Sequence, residues 1–153
     1  LRPLPKAPAK RILTPHPGEM ARLLGSTVAE VQKDRLATAR RAANKYGCVV
    51  VLKGAGTVVA DRDGSAYVVP TGNPGMASGG TGDVLTGIIG SLLSQGKDAC
   101  EAACVGAYVH GQAGDLAMET KGEHGLAAGD MIEALPSVLA RYEDESDPDH
   151  QVS

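Results

Sequence analysis

The run Gly79-Gly80-Thr81-Gly82-Asp83 places three glycines, a hydroxyl and a carboxylate within five residues, a combination suited to phosphoryl transfer. Glycines at 79, 80 and 82 permit backbone conformations that aim successive N–H groups into one hollow, with no Cβ in the way. The apolar set Leu85, Ile88, Ile89, Leu92 and Leu93 predicts an amphipathic helix directly afterwards, and its positive end points at the same hollow. Gly79, Gly80, Thr81 and Gly82 therefore form a candidate anion hole, able to offset charge growing on a transferred phosphoryl group. Asp83, at its mouth, is placed to accept a hydroxyl proton as that oxygen attacks phosphorus. The plainer alternative is a carboxylate that only favours the helix start. No Lys-Ser/Thr follows the glycines and the spacing is not GxGxxG, so neither a Walker A loop nor a dinucleotide fingerprint is present.

Two further stretches carry chemistry. Lys53-Gly54-Ala55-Gly56-Thr57 follows the apolar run Cys48-Val49-Val50-Val51-Leu52, and ligands of α/β sheets gather at such strand ends. Freed amides at Gly54 and Gly56, the Lys53 charge and the Thr57 hydroxyl suit a nucleotide phosphate or ribose; a plain tight turn is the alternative. Thr14-Pro15-His16-Pro17-Gly18-Glu19 holds a histidine between two prolines that stiffen its backbone, which makes His16 either a ligand contact or a solvated loop residue. His110, on a helix of small residues, reads as a hydrogen-bonded core histidine. His124 carries no functional assignment.

The elements that must position these groups follow from pattern. Arg11 to Thr14 is a strand candidate, and a short helix is expected from Glu19 to Leu24. Thr27 and Glu30 make a capping box for one helix carrying Val28, Val31, Leu36, Ala39, Ala43 and Tyr46, closed by Gly47. The β-branched run at 48–52 predicts a strand buried on both faces. Thr57–Ala60 and Ala66–Val69, around Asp61 to Ser65, predict a hairpin. Asp98 opens a helix with Ala99, Ala103, Gly106, Ala107 and Ala113, small enough to approach another backbone. A final helix is expected from Asp130 to Tyr142, kinked or split by Pro136.

With 153 residues and 3% aromatic content, without Phe or Trp, the chain is long enough for one domain with an aliphatic core. Strand–helix alternation makes it α/β, a layered fold with a mostly parallel sheet and flanking helices, apparently truncated at the N-terminus. Residues 1–142 are assigned to this domain and 143–153 to an acidic, disordered tail; three prolines within 1–8 read as a linker. The formal net charge is -3, and the tail holds five of the 18 acids. The nearly neutral body has no basic stripe for nucleic acid. No apolar run approaches a membrane span. Cys48, Cys100 and Cys104 have no metal-ligand spacing and read as small buried hydrophobes, with a cytoplasmic location expected.

Thr14-Pro-His-Pro-Gly-Glu19, Lys53-Gly-Ala-Gly-Thr57 and Asn73-Pro-Gly-Met-Ala-Ser-Gly-Gly-Thr-Gly-Asp83 occur in this order. Together they resemble the C-terminal part of the ADP/ATP-dependent NAD(P)H-hydrate dehydratases, members of the ribokinase-like superfamily. The resemblance covers about Ile12 to Leu139. It implies a repair lyase that removes water from hydrated NADH or NADPH at the expense of a nucleotide phosphate, with magnesium accompanying ADP or ATP. By the same resemblance, Asp83 faces the hydrate and activates its hydroxyl, and His16 touches the hydrated dinucleotide. Lys53, Gly54, Ala55, Gly56, Thr57 and Gly82 hold the adenine nucleotide. The family's longer domain implies strands absent from this stretch, so the chain alone is expected to be poorly soluble or domain-swapped, and catalytically weak or dead; a homo-oligomer is expected at full length. The alternatives are a superfamily kinase of hydroxymethylpyrimidine or hydroxyethylthiazole type, or an inactive nucleotide-binding fragment.

Overall fold

The structure, a computed structural model, describes residues 11–143. The proline-rich start at 1–10 and the acidic stretch at 144–153 lie outside the described residues. One four-stranded sheet, in spatial order β1 (Ile12–Leu13), β2 (Val49–Leu52), β3 (Thr57–Ala60) and β4 (Ala66–Val69), divides the molecule. β1 and β2 are parallel, with Ile12 opposite Val49 and Leu13 opposite Val50. The expected hairpin makes β3 and β4 antiparallel, and the turn at 53–56 makes β2 and β3 antiparallel as well. The sheet is therefore mixed rather than mostly parallel: the five-residue turn at 61–65 joins neighbouring strands without a crossover helix.

The buried run at β2 follows from burial on both faces. Val50 and Leu52 pack with Met20, Val31, Ala39 and Ala43, from α1 (Pro17–Leu24), α2 (Val28–Lys33) and α3 (Arg35–Tyr46). Val49 and Val51 pack with Leu85, Ile89, Ala103 and Ala107, from α4 (Thr81–Ser94) and α5 (Ala99–Lys121). The side chains alternate between the faces with the strand period of two. A third cluster, Val109, Ala113, Ala117, Met131 and Val138, fixes α6 (Ala128–Glu143) to the outer side of α5. Among the described residues, no helix is long and apolar enough to cross a membrane.

Several boundaries depart from the sequence pattern, most of all in the helices. The single helix expected after Thr27 is two, because Asp34 leaves helical geometry (φ -150°, ψ 89°). Its carboxylate accepts from the Ala37 amide at 2.8 Å, capping α3 as α2 ends. α1 begins at Pro17 rather than Glu19, since His16 acts as its N-cap. The Thr27–Glu30 capping box and the left-handed Gly47 cap are both present. α6 is unbroken at Pro136 and runs through Glu143, one residue into the stretch assigned to the tail. A short 3-10 turn at Pro74–Met76 precedes the glycine run.

Packing on α5 depends on missing side chains. A Cβ at Gly106 would lie 2.6 Å from Ile89 Cγ1, and one at Gly111 would lie 2.7 Å from the Thr71 carbonyl carbon. Gly114 passes close to Met76. Helix, sheet exit and glycine run are thereby pressed together. Gly111→Ala is expected to cost about 1–3 kcal/mol through overpacking. Gly87→Ala, on the exposed face of α4 with open space at its Cβ, is expected to add about 0.5–1 kcal/mol through helix propensity. Urea unfolding of the two variants measures both, and equal effects would contradict the close approach.

Candidate active site

Three loops leave the same end of the sheet. Residues 14–16 follow β1 and 53–56 follow β2, and the parallel ladder holds them in step, with the Lys53 amide donating to the Pro15 carbonyl at 2.9 Å. The third segment, 70–80, follows β4 and delivers the chain to α4. It is pinned along its length. Thr71 Oγ1 donates to the Tyr108 carbonyl at 3.0 Å, and Asp115 accepts from the Gly72 amide and from Asn73 Nδ2, both at 2.9 Å. Thr81 Oγ1 donates to the carbonyls of Met76 (2.7 Å) and Ser78 (3.0 Å). Gly80, at φ +89°, takes the left-handed conformation as N-cap of α4, which a side chain would strain.

Lys53 joins the two glycine motifs. A Cβ built on Gly82 would stand 2.9 Å from Lys53 Nζ, so the ammonium lies against the first turn of α4. That end of a helix carries roughly half a positive charge and four amides without intrahelical partners. Glu19 Oε2, 3.9 Å from Lys53 Nζ, supplies part of the compensation. The Glu19 carboxyl is held below its ordinary range chiefly by the His16 amide, with Lys53 adding to the effect against partial burial.

His16 reaches the same cluster through its own backbone. Its Nδ1 accepts from the amides of Gly18 (3.0 Å) and Glu19 (3.3 Å), while its amide donates to Glu19 Oε2 at 2.8 Å. An accepting Nδ1 puts the proton of the neutral ring on Nε2, which lies 3.5 Å from Glu19 Oε1 on the exposed side. Asp83 is exposed on the first turn of α4. The structure thus brings His16, Lys53 and Gly82 into one cluster through Glu19, with Asp83 on the residue after Gly82. Gly54, Ala55 and Gly56 are exposed beside Lys53, and the partly buried Thr57 donates through Oγ1 to the Gly54 carbonyl at 3.3 Å. Gly79 and Gly80 are exposed, while the Thr81 side chain is buried as an internal tie. Among the described residues, the polar atoms left buried without a partner include Ser78 Oγ and Asn73 Oδ1, both in this approach segment.

Four residues were not legible as site components. Arg35, the first residue of α3, donates through Nη1 to the Ala55 carbonyl and through Nη2 to the Leu52 carbonyl at 3.0 Å. Asp115 braces the approach segment from 42 to 43 residues away. Glu19 read only as the start of a short helix and the last residue of the motif at 14–19. His110 is hydrogen-bonded as expected, but to the Thr81 carbonyl at 2.8 Å, directly under the glycine run. No local spacing signals these long-range partnerships. Among the described residues, no group of three or more His, Cys, Asp or Glu side chains could hold a metal ion.

Burial holds the His110 ring below its ordinary value of 6.5, against the Thr81 carbonyl and with help from Lys53. In the unfolded chain the ring takes its proton at higher pH than in the folded one. His110 therefore costs nothing above about pH 6.5 and removes stability as pH falls from there through its folded value. Replacing it by Gln is expected to flatten that part of the profile, measured as unfolding free energy between roughly pH 5 and 7. An unaltered acid slope in His110→Gln would show that the ring does not titrate in this way.

A family model described as NAD(P)H-hydrate dehydratase matches residues 2–137. The chain is 54% identical over 134 residues to a bifunctional NAD(P)H-hydrate repair enzyme of Moorella thermoacetica, covering 88% of this chain and 25% of that protein. Among solved structures, the ADP/ATP-dependent NAD(P)H-hydrate dehydratase of Bacillus subtilis, co-crystallised with ATP/Mg2+, superposes with a TM-score of 0.87. It is 41% identical, with 92% of this chain and 51% of that chain covered. A ribokinase-like superfamily protein from Enterococcus faecalis superposes with a TM-score of 0.73 at 34% identity, covering 86% of this chain and 44% of that one. The chain thus spans about a quarter of the curated relative and about half of the solved dehydratase.

Proposed function

Because the chain belongs to the NAD(P)H-hydrate dehydratase family, with its ribokinase-like fold, we propose that it carries the phosphate cradle and the proton-accepting carboxylate of an ADP- or ATP-dependent dehydration of hydrated NADH or NADPH. The observation that carries this reading is the Lys53 ammonium held against the positive end of α4. Two positive ends facing each other repel unless an anion lies between them, and a nucleotide phosphate is the anion that the family supplies.

In this reading the segment Lys53 to Thr57 receives the adenine nucleotide, with Gly82 open for close approach. The amides of Gly79, Gly80, Thr81 and Gly82 hold the phosphoryl group. Asp83 takes the proton of the hydrate's hydroxyl as its oxygen attacks the terminal phosphorus, and the bond to the rest of the nucleotide breaks, releasing AMP from ADP or ADP from ATP. The hydroxyl oxygen then leaves as part of inorganic phosphate, and loss of a neighbouring proton restores the ring double bond. This resolves the chemical difficulty of the reaction, since hydroxide leaves poorly and a phosphate leaves well. His16, fixed in one tautomer by capping α1, offers its exposed Nε2–H edge to the dinucleotide.

Magnesium fits as a passenger of the nucleotide. Among the described residues no cluster of carboxylates could hold the ion alone, so phosphate and water oxygens would hold it, as Mg²⁺ commonly prefers. When bound, the ion would offset phosphate charge. Residues 1–142 are proposed to belong to one domain. The family's oligomeric assembly is proposed for the full-length protein, and the cytoplasm as its location.

Asp83→Asn is expected to retain MgADP binding while turnover of hydrated NADPH falls by about 10²–10⁴-fold. Release of inorganic phosphate together with return of NADPH absorbance reads the reaction. The assay is run on this chain and on the chain extended by the part of the Bacillus relative that it does not cover. Unchanged turnover would remove Asp83 from the chemistry. Phosphate transfer to a small alcohol without recovery of reduced cofactor would favour the superfamily kinase reading, and nucleotide binding without phosphate release the inactive fragment.

A further inference from the structure

We propose that Arg35 is a positioning residue for the nucleotide: from the underside of the loop it holds the carbonyls of Leu52 and Ala55, and so presents the amide of Gly56 outward as a phosphate or ribose donor. The inference rests on the reading of Lys53 to Thr57 as the nucleotide loop.

The argument begins with peptide geometry. Every peptide bond described here is trans, so the carbonyl of one residue and the amide of the next point in opposite directions across a rigid plane. Arg35 accepts no alternative orientation of two such planes. Nη2 holds the Leu52 carbonyl at 3.0 Å, and the Lys53 amide in the same plane points away, toward the Pro15 carbonyl at 2.9 Å. Nη1 holds the Ala55 carbonyl, and the Gly56 amide in that plane is likewise turned away from the guanidinium. Gly56 is exposed, at φ +62°. One side of the loop is occupied by a cation and the opposite side offers a donor.

Both guanidinium hydrogen bonds go to carbonyls of this loop and its strand, and Arg35 Nε is buried without a partner. The guanidinium is half-buried, and the desolvation disfavours its charge. Such a cost is reasonable where the charge stands behind an anion site. Gly54 shows how close the approach is. A Cβ there would lie 2.9 Å from Arg35 Nη2 and 3.2 Å from Cζ, and its φ of +142° is hard for any other residue to adopt. The positive φ calls for glycine at 54, and the guanidinium lies against the same position. Asp34 fixes the base of the clamp, capping α3 one residue before Arg35. A planar guanidinium can serve two carbonyls in one geometry, which a lysine ammonium cannot reproduce.

The test measures binding of MgADP and MgATP to the full chain by calorimetry, for wild type, Arg35→Met, Arg35→Lys, Gly54→Ala and Lys53→Met. Arg35→Met is expected to raise Kd on the order of ten-fold or more at unchanged stoichiometry, with Arg35→Lys intermediate. Gly54→Ala should reproduce the effect, and Arg35→Met combined with Gly54→Ala should be no weaker than either alone. A purely structural role instead lowers the fitted stoichiometry and leaves Kd unchanged, and that result overturns the assignment. If Arg35→Met does not fold, Arg35→Lys and Gly54→Ala decide by the same criterion. Wild-type affinity in Lys53→Met removes the loop from nucleotide binding and this inference with it. Weakened Lys53→Met beside wild-type affinity in the Arg35 variants overturns the Arg35 assignment alone.

Discussion

A cation kept against the positive end of a helix is the interaction around which the rest of the site is organised. Lys53 occupies that position beside Gly82, and the arrangement persists because each neighbour answers the charge. Glu19 lies 3.9 Å from the ammonium. His16 in turn holds Glu19 through its amide, and burial keeps His110, beneath Thr81, from readily adding a further positive charge. Glycine at 82 leaves room for the ammonium, which a Cβ there would displace.

Much of this was legible in the residues, and the failures have a common cause. The two glycine motifs, the hairpin, the two-faced strand at 49–52 and the caps at Thr27, Gly47 and Asp98 all rest on interactions within a few residues, which sequence spacing records. The break at Asp34 was hidden because Val28 and Leu36 continue a helical pattern although both are substantially exposed. Helical spacing alone does not show whether a stripe is buried. The start of α1 was missed because a histidine ring nitrogen fills the role usually played by a short oxygen side chain. The mixed sheet followed from two strands correctly placed and then wrongly weighed. Arg35 and Asp115 were invisible for a different reason: each acts on backbone 17 to 43 residues away.

The approach to the cradle is as specific as the cradle itself. Residues 71 to 76 are fixed by Tyr108 and Asp115 of α5, and the glycines at 111 and 114 let that helix close against them. α5 also packs its alanines against β2 and β3 and carries α6 on its far side. A chain nearly without aromatic residues thus obtains its rigidity from close backbone approach instead of from large side chains. Such contacts have little room to relax, so the amides of the glycine run are held in place before any ligand arrives.

The parallel pairing of β1 with β2 acts as a ruler. Two ladder pairs and the Lys53–Pro15 hydrogen bond fix how far the His16 loop stands from the Lys53 loop, in a lattice whose increment is one residue, about 3.3 Å. Side-chain replacement on either loop alters what is recognised but not the gap between the two recognition points. A one-residue slip would alter the gap, and it would also turn every buried side chain of a strand to the opposite face. The spacing between the two loops is therefore quantised by the backbone, and under the proposed function it would set the reach of the transfer independently of the side chains that make the contacts.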